Sequence, residues 1–332
     1  MSNTIIRVLQ NYDIGCTASA LNNQVIEALG SAGGFSGAKF WKITVASTKY
    51  CLRRWPNNKP TRVQADVIYP TLEFVRRRLD LPLAFPIQTV RGAPMCRVDN
   101  AHWELSHWMP GKPIAETEIN DMQLRAAAKA LAELHNTTSS MSEHQHASPA
   151  VDLRCNMIDR LWAIQFEQLQ STQDISGVVD SGVKQMLLDQ FRYQAHALRQ
   201  QLELLRNVPV SQIPILGDIW SDHVLFKNDE VSGIVDFGAM KIESPCLDIA
   251  RLFGSYADYS SEALRRGVSY YGQFRKLNDL DLSLIELYDR VYVLLAGIQW
   301  LIWIELEQRK FCDNGAVRQR LQRLIQRCEP II

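Results

Sequence analysis

Residues 213–252 read IPILGDIWSDHVLFKNDEVSGIVDFGAMKIESPCLDIARL, and the order of turns, strands and carboxylates in this stretch decides the fold. Apolar Ile213, Ile215 and Leu216 lead into Gly217-Asp218, which sets a carboxylate at the end of a short strand. His223 to Phe226, the polar turn Lys227 to Glu230, and Val231 to Val235 then form a hairpin that ends in Asp236-Phe237-Gly238. With Lys227 to Glu230 as the whole loop, Phe226 pairs with Val231 and His223 with Ile234. Residues two apart on a strand share a face, so Asp236 falls on the face of His223, diagonally across at about 7–8 Å. Two ligand-bearing side chains so placed can bracket one cation, while Asp218 supplies a separate base.

Working upstream, the first 110 residues read as mostly strand. A helix is expected over Asn23 to Leu29, followed by the glycine cluster GSAGGFSGA from Gly30 to Ala38. An alternating run then turns Trp41, Ile43 and Val45 one way and Lys42 and Thr44 the other. A polar turn at Ala46-Ser47-Thr48 leads to a second alternating run, Lys49 to Arg53, which makes a hairpin with a glycine-rich entry. Helical spacing covers Arg62 to Leu79, with Pro70 opening a fresh helix at its first turn. Strands are expected at Phe85 to Val90 and Trp103 to Met109.

The remainder reads as mostly helix: Asn120 to His135, Val151 to Leu169 and Val183 to Leu205, with Ser139 to Ala150 a polar loop. VYVLLAGIQWLIWI, Val291 to Ile304, is the nearest approach to a membrane span. It is shorter than the about 18 apolar residues such a span needs and reads as a buried core helix. The N-terminus offers no signal-peptide core. Seven cysteines are scattered singly without a CxxC pair, the pattern of reduced thiols in a cytoplasmic protein. His135, His144 and His146 lack accompanying cysteines and lie largely in a polar loop, so they read as a solvated group and not as a zinc site.

Lys plus Arg and Asp plus Glu are 36 each across 332 residues, a length that suggests two lobes. A neutral total argues against a nucleic-acid binder. The zero conceals two opposed parts: residues 1–110 carry 13 Lys and Arg against 7 Asp and Glu, and residues 111–332 carry 23 against 29. A basic first part suits anions, and an acidic second part suits cations and amine-bearing small molecules.

The run GDIWSDHVLF with VDFGA and CLDIARL downstream resembles the aminoglycoside phosphotransferase family. The resemblance implies an α+β, two-lobed protein-kinase-like fold, with a β-rich nucleotide-binding lobe over residues 1–106 and a mainly helical catalytic and substrate-binding lobe over 107–332. It implies ATP-dependent phosphorylation of a small-molecule hydroxyl, with Asp218 as catalytic base and Asp236 as metal-binding Asp. His223 stands where the family has Asn, and Leu216 where it has a leading His. An imidazole suits softer metals better than Mg²⁺, so Mn²⁺ enters beside Mg²⁺, and Asp222 is an alternative ligand.

The resemblance extends to GGFSGAKFWKI at the nucleotide-loop position, which implies that Gly34, Ser36 and Gly37 cover the triphosphate. YCLRRWP fits the strand with the phosphate-binding Lys. Here Arg53 takes that place, and a guanidinium can clamp phosphates bidentately, with Glu73 its ion-pair partner. WELSHWMPG resembles the hinge between lobes, where the backbone of His107 and Met109 would meet adenine. The His of LAELH is structural by the same likeness, and Asp248 either braces the catalytic loop or pairs with Arg251. The departures at Arg53, Leu216 and His223 leave a nucleotide-binding pseudokinase as the alternative to a kinase. GFSGA superficially resembles the serine-hydrolase elbow, but an elbow joins a strand to a following helix, and here a helix is expected before it and a strand after. The absence of GxxxxGK[ST] excludes a P-loop.

Overall fold

In the computed structural model the described residues are 2–14, 26–30, 37–45, 47–115, 118–172, 177–257, 261–311 and 313–328. Their elements in chain order are α1 (Ser2–Leu9), β1 (Ile26–Gly30), β2 (Lys39–Val45), β3 (Thr48–Arg54), α2 (Arg62–Arg76), β4 (Cys96–Val98), β5 (Ala101–His107), α3 (Asp121–Ser139), β6 (His144–Ala147), α4 (Pro149–Arg160), α5 (Phe166–Ser171), α6 (Ser181–Leu205), β7 (Pro209–Ile215), β8 (Val224–Lys227), β9 (Glu230–Ile234), β10 (Lys241–Glu243), α7 (Cys246–Ser255), α8 (Glu262–Gly272), α9 (Asp279–Leu301) and α10 (Asn314–Arg327). The α+β, two-lobed protein-kinase-like architecture expected from the sequence is the one observed. The chain divides into two compact units, Met1–Pro113 with Asp222–Lys241, and Ile114–Ser221 with Ile242–Ile332. The hairpin after Asp218, which the sequence reading kept with the second lobe, therefore packs with the first.

Unit 1 is built on an antiparallel sheet in the order β1-β2-β3-β5-β4. Alternation along the strands separates its faces. Trp41, Ile43, Tyr50, Leu52, Trp103 and Leu105 form one buried face, closed by Ile5, Val8 and Leu9 of α1 and by Tyr12. Arg53 and Glu104, opposite each other on β3 and β5, lie on the other face. That division gives the sheet one side committed to packing and one side carrying charge.

Three local expectations are corrected here. The helix over Asn23 to Leu29 is, in its described part, strand β1, because Ile26 and Glu27 find partners on β2 at Ile43 and Lys42, and Glu27 pairs with the Lys42 ammonium at 3.8 Å. Pro70 does not start a new helix. A capping box between Thr61 and Gln64 starts α2, and the buried row Ile68, Thr71, Leu72 and Val75 spans the proline, so packing holds one helix across the missing N–H. Phe85 to Val90 is not a strand but carries one isolated bridge, Pro86 to Ser106. Pro82 and Pro86 have no N–H to extend a ladder.

In unit 2, α3 begins with the capping box Asn120 and Gln123. α9 buries residues around most of its circumference, from Leu284 to Leu301, and packs against α6, α7 and α10. Together with the wider turn that follows, it is long and apolar enough to cross a membrane, yet 67% of its most apolar window is buried inside the protein. It is the core helix the sequence indicated. The segment read as a polar loop, Ser139 to Ala150, contains the exposed edge strand β6, which pairs with β7 from His144–Gln212 to Ala147–Pro209.

Candidate active site

The hairpin β8–β9 pairs Phe226 with Val231 as the pattern requires, but Val224, not His223, faces Ile234. The reason is a bulge: Ser232 is an extra residue on β9, and its hydroxyl donates to the Pro110 carbonyl at 2.8 Å. The loop shortens to Asn228-Asp229, with Asn228 at φ 57°. His223 closes the short turn Ser221–His223, and its carbonyl accepts the Val235 N–H at 3.0 Å. The two predicted ligands still meet, with His223 Nε2 4.0 Å from Asp236 Oδ2.

Asp236 sits at φ 62°, a left-handed turn that tilts its carboxylate toward the sheet. Its Oδ1 lies 3.1 Å from Arg53 Nη1 and accepts the Gly238 N–H at 3.1 Å. Burial works to raise its pKa, but the charges of Arg53 and His223 and the Gly238 hydrogen bond outweigh it and hold the carboxyl below its ordinary value. Gly238 lets the backbone pass close to the Arg53 guanidinium, which a Cβ there would push aside.

Arg53 itself is 8% exposed and lies over the Trp55 ring at 3.9 Å from its centroid, with Phe40 at 5.7 Å. Its Nε is buried with no acceptor. Glu73, expected as its partner, is instead bonded to Arg77 one helical turn on, at 2.8 Å. The continuity of α2 through Pro70 creates that i,i+4 pair. Besides Asp236, the acid next to Arg53 is Glu104, opposite it on β5, which sequence reasoning missed. Burial pushes the Glu104 carboxyl up, opposed by Arg53 and by the Tyr69 hydroxyl that donates to it at 2.8 Å. The signal was present: Glu104 alternates with the buried Trp103 and Leu105, on the face of β5 that β3 turns toward Arg53.

Gly34 and Ser36 lie outside the described residues. Gly37 adopts φ 82°, the left-handed conformation of a tight glycine turn. His107 and Met109 line a cavity of about 560 Å³ together with the Ser47 to Lys49 turn and Gly111. Gly111, at φ 92°, lets the segment pass the hairpin, because a Cβ would strike Ser232 and the Phe226 carbonyl.

In unit 2, helix α7 grips the Leu216–Asp218 turn at two points one turn apart. Fully buried Asp248 accepts the Leu216 and Gly217 amides at 2.7 and 2.8 Å, so of the two roles open to it the bracing one is realised. Arg251 pairs with Asp218, Nε to Oδ1 3.0 Å, leaving the Asp218 side chain 54% exposed.

His135 is wholly buried, with Nε2 3.3 Å from Asp248 and Nδ1 2.9 Å from the Tyr271 hydroxyl. A proton on Nε2 satisfies both neighbours in the neutral form. Burial lowers its pKa more than Asp248 raises it. The folded state thus binds this proton less readily than the unfolded state. Stability should fall as pH drops below about 6.5, where the unfolded imidazole protonates. Urea unfolding at pH 7.5 and 5.5 checks this: His135→Gln should flatten the dependence, and an unchanged slope in that variant would refute it.

His144 and His146 lie on exposed β6, their ring centres 6.2 Å apart, well apart in the chain from the buried contacts of His135. Among the described residues no group of three or more His, Cys, Asp or Glu is placed to hold a metal. The pair His223 and Asp236 suits a cation of another kind, one bound by few protein groups and completed by water and phosphate oxygens. Asp236 Oδ2 and the His223 imidazole, 4.0 Å apart, are close enough to touch one ion.

The order of these parts along the chain, and the two-lobed fold that carries them, define a protein-kinase-like phosphotransferase. The family follows from the sequence itself: residues 27–281 match the phosphotransferase enzyme family, APH, and the chain belongs to it. It is accordingly an enzyme of the small-molecule kinase type. No curated protein sequence matches the chain. Similar solved structures include a microcompartment-associated aminopropanol kinase, 13% identical with TM-score 0.65, covering 98% of this chain and 95% of that one. Amicoumacin kinase in complex with AMP-PNP, Ca²⁺ and Ami is 14% identical with TM-score 0.62 over 96% and 90%. Spectinomycin phosphotransferase with ADP and spectinomycin is 12% identical with TM-score 0.60 over 90% and 88%. At these identities the likeness is one of fold.

Proposed function

We propose that the chain transfers the γ-phosphoryl group of ATP to a hydroxyl of a small molecule, with Asp218 as base and Asp236 and His223 as ligands of a divalent cation. The observation that carries this reading is the state of Asp236. One oxygen is fixed by Arg53 and the Gly238 amide, while the other is directed at an imidazole 4.0 Å away. When bound, the cation would neutralise charge on the transferring phosphoryl group.

The chain's own groups supply positioning and electrostatics, which is most of what phosphoryl transfer asks. Arg53, stacked and short of one acceptor at Nε, would engage the α- and β-phosphates. The backbone at His107 and Met109 would take the adenine, and Gly34, Ser36 and Gly37 the triphosphate. Asp218 would orient the acceptor hydroxyl and take its proton as the acceptor oxygen bonds to phosphorus and the bond to ADP breaks. Glu104, in place of Glu73, would balance Arg53.

Calorimetric titration of ATP tests the nucleotide half. Affinity should rise at least about tenfold with Mg²⁺ or Mn²⁺ over chelator alone, with Mn²⁺ no weaker than Mg²⁺. ATP binding indifferent to both cations would count against the assignment of Asp236 and His223.

A further inference from the structure

Helix α7 presents two charged side chains to the Leu216–Asp218 turn, and they hold different parts of it. Asp248 takes the backbone, accepting the Leu216 and Gly217 amides. Arg251, three residues on and so on the same helix face, takes the side chain, its Nε donating to Asp218 Oδ1 at 3.0 Å. An aspartate carboxylate has a broad second torsion, and one that is 54% exposed has room to turn. Arg251 has less room. Its side chain is 16% exposed, its guanidinium carbon lies 4.4 Å from the Tyr292 ring centre and 5.6 Å from that of Trp220, and its Nη1 is buried without an acceptor. A buried donor left unmet is unfavourable, so packing, and not hydrogen bonding at Nη1, fixes where the guanidinium lies.

Behind Arg251 stands a second acid. Asp289 of α9 is buried and accepts Arg327 of α10 through both oxygens at 2.7 Å. Burial raises the Asp289 carboxyl, and the charges of Arg327 and then Arg251 oppose the rise. Gly254, one turn beyond Arg251 on α7, makes room for the pair. A Cβ there would strike Asp289 Oδ1, and the Gly254 carbonyl accepts the Arg327 N–H at 2.8 Å. Charge therefore alternates from α10 through α9 and α7 to the turn, in the order Arg327, Asp289, Arg251, Asp218.

We propose that Arg251 is a positioning residue for phosphoryl transfer: it fixes the Asp218 carboxylate in one orientation, so that the base meets the acceptor hydroxyl already aimed. The inference rests on the phosphotransferase reading for what Asp218 does, and on geometry alone for what holds it. The two residues before the base, Leu216 and Gly217, have no side-chain hydrogen bond to offer it, and α7 supplies one from across the turn. A misplacement of about 1 Å can lower a rate about 10²-fold, so a group that confines a half-exposed carboxylate acts on kcat and not on nucleotide binding. Asp289, itself locked by Arg327, keeps a negative charge beside Arg251 and the guanidinium in its place.

The test uses the full chain as Arg251→Met and Arg251→Lys. Methionine keeps an adaptable apolar stem between the two rings and removes the charge and every donor. Lysine keeps a charge but loses the planar fork. Crystal structures read the hold without any activity: in Arg251→Met the Leu216 and Gly217 amides should stay on Asp248, while the Asp218 carboxylate leaves its present orientation or spreads over several. A carboxylate unmoved in Arg251→Met would overturn the proposal. Turnover of γ-labelled ATP with Mg²⁺, with water and glycerol as acceptors, reads the consequence. The kcat should fall about 10- to 10²-fold in Arg251→Met and less in Arg251→Lys, with ATP affinity by calorimetry within about twofold of wild type. In an Asp218→Asn background Arg251→Met should cost less than about twofold more, because the two act as one unit. The full loss repeated in that background, or ATP affinity falling as far as kcat, would overturn the proposal. If wild type transfers phosphate neither to these acceptors nor to a wider set of hydroxylated small molecules while Asp218 still comes loose in Arg251→Met, the phosphotransferase reading fails and the hold of Arg251 on Asp218 stands.

Discussion

Asp218→Asn should leave the fold intact and cut phosphoryl transfer about 10²- to 10⁴-fold. The carboxylate is more exposed than buried, and its ion pair is with Arg251. An amide of the same shape can still accept the Arg251 N–H, and an exposed pair of this kind contributes at most about 1 kcal/mol to stability. What asparagine cannot do is take the acceptor's proton or draw its hydroxyl into line. ATP affinity should therefore stay within about twofold of wild type while kcat collapses, a split that a folding defect would not produce. Phosphorylated acceptor quantified by mass spectrometry, with thermal unfolding in parallel, decides it. A variant with more than about a tenth of wild-type kcat would remove Asp218 from the base position.

Asp236→Asn should have a comparable effect on transfer by a different route, about 10³-fold or more in kcat, and should also abolish the gain in ATP affinity from divalent cations. Asparagine is the right replacement because the residue sits at φ 62°, where Asn is tolerated and Ala would add backbone strain. The amide keeps an oxygen for the Gly238 N–H and removes the charge that Arg53 and His223 face. Arg53 then has Glu104 as its remaining acidic neighbour. If the variant still binds ATP more tightly in Mg²⁺ or Mn²⁺ than in chelator, the cation is held elsewhere.

The parts of the fold that could be read in advance were those where chemistry and periodicity coincide. Gly217-Asp218, the hairpin and Asp236-Phe237-Gly238 in that order were visible because each is a turn or strand signal and a functional group together. The alternation of Trp41 and Ile43 with Lys42 and Thr44 gave β2 its faces. Features that depend on a partner distant in sequence were not readable. β1 is a strand because β2 offers it an edge, and β6 is a strand because β7 does. The Ser232 bulge moved the His223 register by one residue, and no run of five residues announces which one will be extra. Glu73 was drawn toward Arg53 by the resemblance, whereas α2, unbroken at Pro70, gave it a nearer cation in Arg77.

The chain is proposed to move a phosphoryl group from ATP to a small-molecule hydroxyl through Asp218 and Asp236. Incubation with γ-labelled ATP and Mg²⁺ or Mn²⁺ across a panel of hydroxylated acids, sugar phosphates, polyols and amino alcohols measures it directly. Wild type should label at least one acceptor, and Asp218→Asn and Asp236→Asn none within the same time. Saturable ATP binding with no label transferred to any acceptor under either metal would contradict the claim and describe a nucleotide-binding regulator instead.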